Sequence, residues 1–153
     1  MMRRALLGGA AACLVAPIAG AAPAPPIEFQ VLRNGRDIGR HRLTLRREGE
    51  DWLCAIDVEL RVGFGPLTFY RYRHENLERW RAGRFVSFSS VTDDNGTRFA
   101  ARAERAADGI AVEGVEGAFT APAEAWPTTY WYPGFLDRGV WVDTQFGRLR
   151  RSR

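Results

Sequence analysis

The sequence contains no lysine, and all 22 of the basic residues among its 153 are arginine. It has two cysteines, two histidines and two methionines, and both methionines stand at its start. Each scarcity excludes something. Beyond the leader-like N-terminus only Cys54 remains, so no disulfide is expected within the exported chain. Cys54 shares one face of an alternating run with Trp52, Ile56 and Val58, which suits a core thiol better than a reactive one. His41 and His74 have no acid at ligand spacing. Neither a transition-metal site nor any other cofactor is therefore expected. Gly-x-Ser-x-Gly is absent, and Ser87, Ser89 and Ser90 lie along a strand rather than on a strained elbow. Asp93-Asp94 and the pair Glu113/Glu116 sit at turn-like positions, where solvated acids belong. No catalytic residue is assigned on these grounds, and an enzyme is not the expected reading.

Excess charge of one sign is missing as well. Of 22 basic against 18 acidic residues, Arg3 and Arg4 fall in the leader and Arg148, Arg150, Arg151 and Arg153 in the tail. What is left is 16 against 18, a net of −2. A nucleic-acid partner, which needs a basic stripe on the folded surface, is not expected.

The N-terminus reads as an export signal. Arg3-Arg4 precedes an apolar stretch from Ala5 to Ile18, and Ala19-Gly20-Ala21 offers the small residues of a cleavage site. The apolar stretch is shorter than the ~20 residues a bilayer span needs and is broken by Pro17, so no stable membrane span is expected after removal of the signal. The general secretory route is the expected one. Arg3-Arg4-Ala5-Leu6-Leu7 also fits a loose twin-arginine pattern. The organisation that follows is a signal over 1–21, one domain over 22–147, and a basic tail over 148–153 that resembles a truncated end and leaves Val140 and Val142 without an obvious partner strand. The expected location is the periplasm.

Along the domain, apolar residues alternate between turn signals. Trp52, Cys54, Ile56, Val58, Leu60 and Val62 share one face, and Asp57, Glu59 and Arg61 share the other. A period of two is the mark of half-buried strands. Asn34-Gly35, Glu48-Gly49-Glu50, Gly63-Phe64-Gly65-Pro66, Arg81-Ala82-Gly83, Asn95-Gly96 and Asp108-Gly109 punctuate the runs. The predicted fold is all-β, an antiparallel up-and-down meander of about seven strands forming a curved sheet or half-barrel. A short irregular or helical segment is predicted near 126–136, bounded by Pro127 and Pro133. The stretch TDDNGT, residues 92–97, superficially resembles a calcium loop. Placing Gly96 at the sixth position of such a loop puts Val91 first and Arg102 twelfth, which cannot ligate calcium. It is therefore predicted to be a hairpin turn.

Two stretches concentrate functional side chains. In LTFYRYRHENLERW, residues 67–80, one face reads Tyr70, Tyr72, His74, Asn76, Glu78, Trp80. Turned inward, that face brings hydroxyls, an imidazole and a carboxylate to the inside of the sheet. His74 and Glu78 are ~13 Å apart along the strand, so a His74-based hydrolase needs an acid from another strand. In WPTTYWYPGFLDRGVW, residues 126–141, Trp126, Tyr130, Trp131, Tyr132, Phe135 and Trp141 either form a platform for a greasy ligand or plug the open end of the barrel. Tyr70, Tyr72, His74 and Trp131 are the candidate ligand-binding residues.

The stretches VLRNGRDIGRHRLTLRREG, FYRYRHENLERWRAGRFVSFSSVTDDNG and PTTYWYP together resemble a bacterial exported family designated domain of unknown function 6134. The likeness is carried most specifically by Tyr70-x-Tyr72-x-His74, Trp80-x-x-Gly83, Asp94-Asn95-Gly96 and Thr128-x-Tyr130-Trp131. It implies an envelope location and assigns no activity, substrate or site residue. More distantly the meander is similar to the sheets of periplasmic lipoprotein carriers, a likeness of fold alone. Three functions follow as expectations. The first is a non-catalytic module that binds or carries an apolar small molecule or lipid. The second is a structural protein with a filled core and an envelope protein as its partner. The third is a hydrolase using His74.

Overall fold

Turns that need left-handed backbone fold the chain back on itself, and the strands between them pair in sequence order. In the computed structural model the described residues are 25–64 and 67–152; the export leader read in residues 1–21 lies outside them. Eight strands form one sheet: β1 (Ile27–Arg33), β2 (Arg36–Glu48), β3 (Asp51–Phe64), β4 (Leu67–Arg81), β5 (Arg84–Asp94), β6 (Thr97–Ala106), β7 (Gly109–Gly114) and β8 (Gly117–Ala121). Their order is β1-β2-β3-β4-β5-β6-β7-β8, and each pairs antiparallel with the next. The sheet stays open, with β1 and β8 as its edges. It has one strand more than the seven expected, because the chain turns again at Val115-Glu116, between Gly114 and Gly117, and adds β8.

Asn34 and Gly35 have φ of 52° and 74°, and Asn95 and Gly96 have 52° and 93°, the pair of positive values that a tight two-residue hairpin requires. TDDNGT is thus the β5–β6 turn, with Asp93 Oδ1 accepting the Gly96 N–H at 2.8 Å. Ala82 takes φ 45° at the β4–β5 turn, a conformation that costs a residue with a side chain about 1–2 kcal/mol. Beside it, a Cβ on Gly83 would lie 3.2 Å from the Tyr132 hydroxyl.

On the inner face the registers line up in rows. One row reads Phe29, His41, Val58, His74, Thr92, Phe99 from β1 to β6. The next reads Ile27, Leu43, Ile56, Asn76, Ser90, Ala101 over the same strands. A third runs Leu45, Cys54, Glu78, Phe88, Ala103, Val112, Phe119 from β2 to β8. In each row the residue contributed by β4 is polar; a β5 hydroxyl, Thr92 or Ser90, adjoins it in the first two rows and apolar Cys54 and Phe88 flank it in the third.

The chain after β8 returns across this face. It contributes β9 (Trp126–Pro127), a 3-10 turn at Phe135–Asp137, β10 (Val140–Val142) and β11 (Leu149–Arg151). These strands form a second small sheet in the order β11-β10-β9. The expectation that Val140 and Val142 lack partners is corrected: Val140 pairs with Arg151, while Val142 pairs with Leu149 on one side and Pro127 on the other. The Asp143–Gly147 turn makes this possible. The Gly147 N–H donates to the Asp143 carbonyl at 2.9 Å, and the Arg150 guanidinium holds Asp143 Oδ2 at 3.0 Å. The expected plug is corrected in its placement too, because an open sheet has no barrel end to close. The rings lie against the sheet face instead.

The covering segment fills only the β4–β8 side. There Trp80, Phe85, Phe88, Ile110 and Val112 pack against Trp126, Val140 and Val142. Trp80 stacks on Tyr132 at 4.2 Å between centroids and meets Trp126 and Trp131 edge-on at 5.1 Å and 5.6 Å. On the β1–β3 side Leu43, Cys54 and Ile56 form a smaller cluster, against which Trp131 packs from the covering segment.

Candidate functional site

A polar spine separates the two sides. Its strand, β4, alternates strictly between exposed Arg71, Arg73, Glu75 and Leu77 and inward Tyr72, His74, Asn76 and Glu78. Each inward polar group, directly or through a neighbour, ties the sheet to the covering segment. The Tyr72 hydroxyl donates to Gln145 Oε1 at 3.1 Å. His74 Nδ1 lies 2.7 Å from the Thr92 hydroxyl, and its Nε2 lies 3.5 Å from that of Thr144. Ser90, beside Asn76, donates to the Thr144 carbonyl. Glu78 Oε2 accepts the indole N–H of Trp131 at 2.8 Å and that of Trp80 at 2.9 Å, while Oε1 accepts from Asn76 at 2.9 Å.

Glu78 is wholly buried, and its hydrogen bonds come from neutral donors. Burial raises its pKa, and the neighbouring hydrogen-bond donors only partly oppose this. The spine's other titratable groups are shifted toward their neutral forms as well. Burial lowers the His74 pKa, against the pull of the Asp143 charge, and pushes the Tyr72 phenol up to about 12. Cys54, opposite Glu78 in the register, is a buried thiol pushed up to about 12 by burial and then by the Glu78 charge. It is a core side chain.

On the β1–β3 side of the spine lies a cleft of about 740 Å³, a size suited to a drug-sized or lipid-sized ligand. Its floor is apolar: Ile27 and Phe29 from β1, Leu43 from β2, Ile56 and Val58 from β3, with His41 among them. Its wall is formed by Tyr72 and His74, the segment Thr128–Trp131, the turn Asp143–Gln145, and Arg150. Most of the wall's polar groups are engaged within the protein. Asp143 Oδ1 accepts the N–H groups of Gln145 at 2.8 Å and Phe146 at 3.1 Å. Thr128 Oγ1 accepts the Thr144 N–H at 3.1 Å. The Thr144 hydroxyl near His74 is therefore not joined by free backbone donors from residues 144–146, and no oxyanion-stabilising cluster forms there. At its other ring nitrogen His74 meets a threonine hydroxyl, where a hydrolytic dyad needs an acid.

Of the four residues expected to bind ligand, Tyr72, His74 and Trp131 line this cleft. Tyr70 does not; it lies beyond the spine, cross-strand from Val62. Burial first, and then a hydrogen bond to Asp94, raise its phenol to about 12. Ile27 and Phe29 alternate with Glu28 and Gln30 in the sequence, as in a half-buried strand, but nothing there marked them as left uncovered. Thr144 and Gln145 carried no such signal, since they meet His74 and Tyr72 across 70 and 73 residues of chain. Among the described residues no three His, Cys, Asp or Glu side chains gather as a metal centre.

The family model described as Domain of unknown function (DUF6134) matches residues 29–153, and the chain belongs to that family. No curated protein and no solved structure matches it.

Proposed function

We propose that this member of a family of unknown function is an exported, non-catalytic binding module that holds an apolar, lipid-like ligand between β1–β3 and the covering segment. The observation that carries the reading is the half-covered inner face. The same alternation that buries Phe88 and Val112 leaves Ile27 49% and Phe29 53% exposed on the floor of the cleft. An apolar floor, broken by His41, beside a wall whose polar groups are largely satisfied favours apolar occupants, because few fixed polar groups then go unpaired on binding. A protein whose inner face served only as a core would cover β1–β3 as it covers β4–β8. Hydrolysis is disfavoured because both ring nitrogens of His74 face threonine hydroxyls, and Asp143, whose charge reaches His74, is itself held by backbone N–H groups and Arg150. The exported setting rests on Arg3-Arg4, the apolar run to Ile18 and Ala19-Gly20-Ala21.

Native mass spectrometry of protein purified without detergent from the envelope fraction of its own host tests the reading. A solvent-extractable adduct is expected on the native chain and is expected to be lost in Phe29→Arg, which puts a charge on the floor at a half-exposed position. A bare polypeptide mass for the native chain overturns it.

A further inference from the structure

We infer, resting on the binding reading above, that the cleft takes an apolar chain bearing one uncharged hydroxyl group, with His41 Nε2 as its hydrogen-bonding anchor. His41 stands in the middle of the apolar floor. Its cross-strand neighbours are Phe29 and Val58, and its ring lies 5.9 Å from that of Phe29. A leucine or valine there would continue the row. The imidazole instead brings Nε2, which is buried and has no hydrogen-bond partner among the described residues. An unpaired buried polar atom is unfavourable; when the ring turns about χ2 to bring Nε2 toward the cleft, a ligand group that pairs with it removes that cost. Burial lowers the His41 pKa, so the neutral ring can donate or accept as the ligand requires.

The surroundings restrict what that group can be. Arg150 is the one guanidinium lining the cleft among the described residues, and Asp143 already holds it at 3.0 Å. A ligand carboxylate would enter without a free cation to offset its desolvation, whereas an uncharged hydroxyl loses far less on leaving water. Among the buried lining one such group is indicated; Tyr130, which also lines the cleft, is 77% exposed. Tyr72, His74 and Thr128 already have partners within the protein. The other buried, unpaired polar atom on the wall, Thr129 Oγ1, lies close to the Glu78 carboxyl.

The test is displacement of a fluorescent apolar dye from the full exported chain by three probes of equal length: a medium-chain alcohol, the alkane and the fatty acid. In the native protein the alcohol should bind tighter than the fatty acid. His41→Phe should lower the ratio of alcohol to alkane affinity about fivefold, the loss of one neutral hydrogen bond. His41→Gln, which keeps a donor and an acceptor, should retain most of the ratio and serves if the phenylalanine variant does not fold. An unchanged ratio in both variants overturns the anchor and leaves the cleft reading standing. A fatty acid that binds tighter than the alcohol overturns the hydroxyl class. Failure of all three probes to bind the native protein overturns the cleft reading itself.

Discussion

On the β4–β8 side of the sheet Trp80, Phe85 and Phe88 are at most 2% exposed, whereas on the β1–β3 side of the same face Ile27 and Phe29 are about half exposed. Both sides are built from the same alternation of apolar and polar residues. They differ in what lies on top. Residues 122–152 cross the inner face, settle on one side and stop at β4, where Tyr72, His74 and Glu78 hold the edge of the cover. A sheet face is a core only where a second layer removes it from water. Where the layer ends, the same pattern becomes a binding surface.

The sharpest test of this contrast is Trp80→Ala, at the centre of the covered side. It should lose about 3–5 kcal/mol of stability, the range for a fully buried aromatic residue, read as a lower urea midpoint. Next comes the seam. Glu78→Leu leaves the Trp80 and Trp131 indoles without their acceptor, at about 1–3 kcal/mol for each buried orphan. Glu78→Gln, which keeps one oxygen acceptor, should lose less. If Glu78→Leu is as stable as the native chain, the spine does not hold the cover. Smaller still is Phe29→Ala on the open side, which should change stability by less than about 1 kcal/mol while weakening the binding of apolar probes severalfold. A destabilisation by Phe29→Ala to match that of Trp80→Ala would erase the distinction between the two sides.

The smallest expected effect concerns pH. Burial lowers the pKa values of His41 and His74 in the folded chain, so the unfolded chain binds more protons below about pH 6.5. The stability tied to their neutral forms is present above that value and is lost as pH falls toward the folded pKa values. Glu78 acts in the opposite direction. Its folded pKa is raised, so its protonated form favours folding at low pH, and that contribution is lost as pH rises above about 4.5. Denaturant midpoints measured across this range should show the acid-side loss reduced in His74→Asn. An unchanged slope in that variant would mean that His74 is not the buried neutral group described.

Much of the sheet was legible beforehand. Asn34-Gly35 and Asn95-Gly96 marked their hairpins because few other residue pairs tolerate two successive positive φ values. The inward set on β4 was legible from its period of two. β8 was easy to miss, since Gly117–Ala121 is five residues long and alternates weakly. The pairing of Val142 with Leu149 and Pro127 was not legible, because three-residue strands carry no periodic signal and β9–β10 pairing joins residues remote in sequence.

The candidate site was legible in part. Tyr72, His74 and Trp131 stood out by residue type and do line the cleft. Tyr70 has the same parity as Tyr72 yet falls outside it, because alternation specifies a side of the sheet and says nothing of how far the cover extends.

Alternation and turn chemistry are local, so the chain alone determined that this is an antiparallel meander and which side chains share its inner face. Whether a given stretch of that face becomes core or cleft depends on where a distant segment comes to rest. That was decided only in three dimensions, by hydrogen bonds such as Trp131 to Glu78 and Tyr72 to Gln145 that close across 53 and 73 residues.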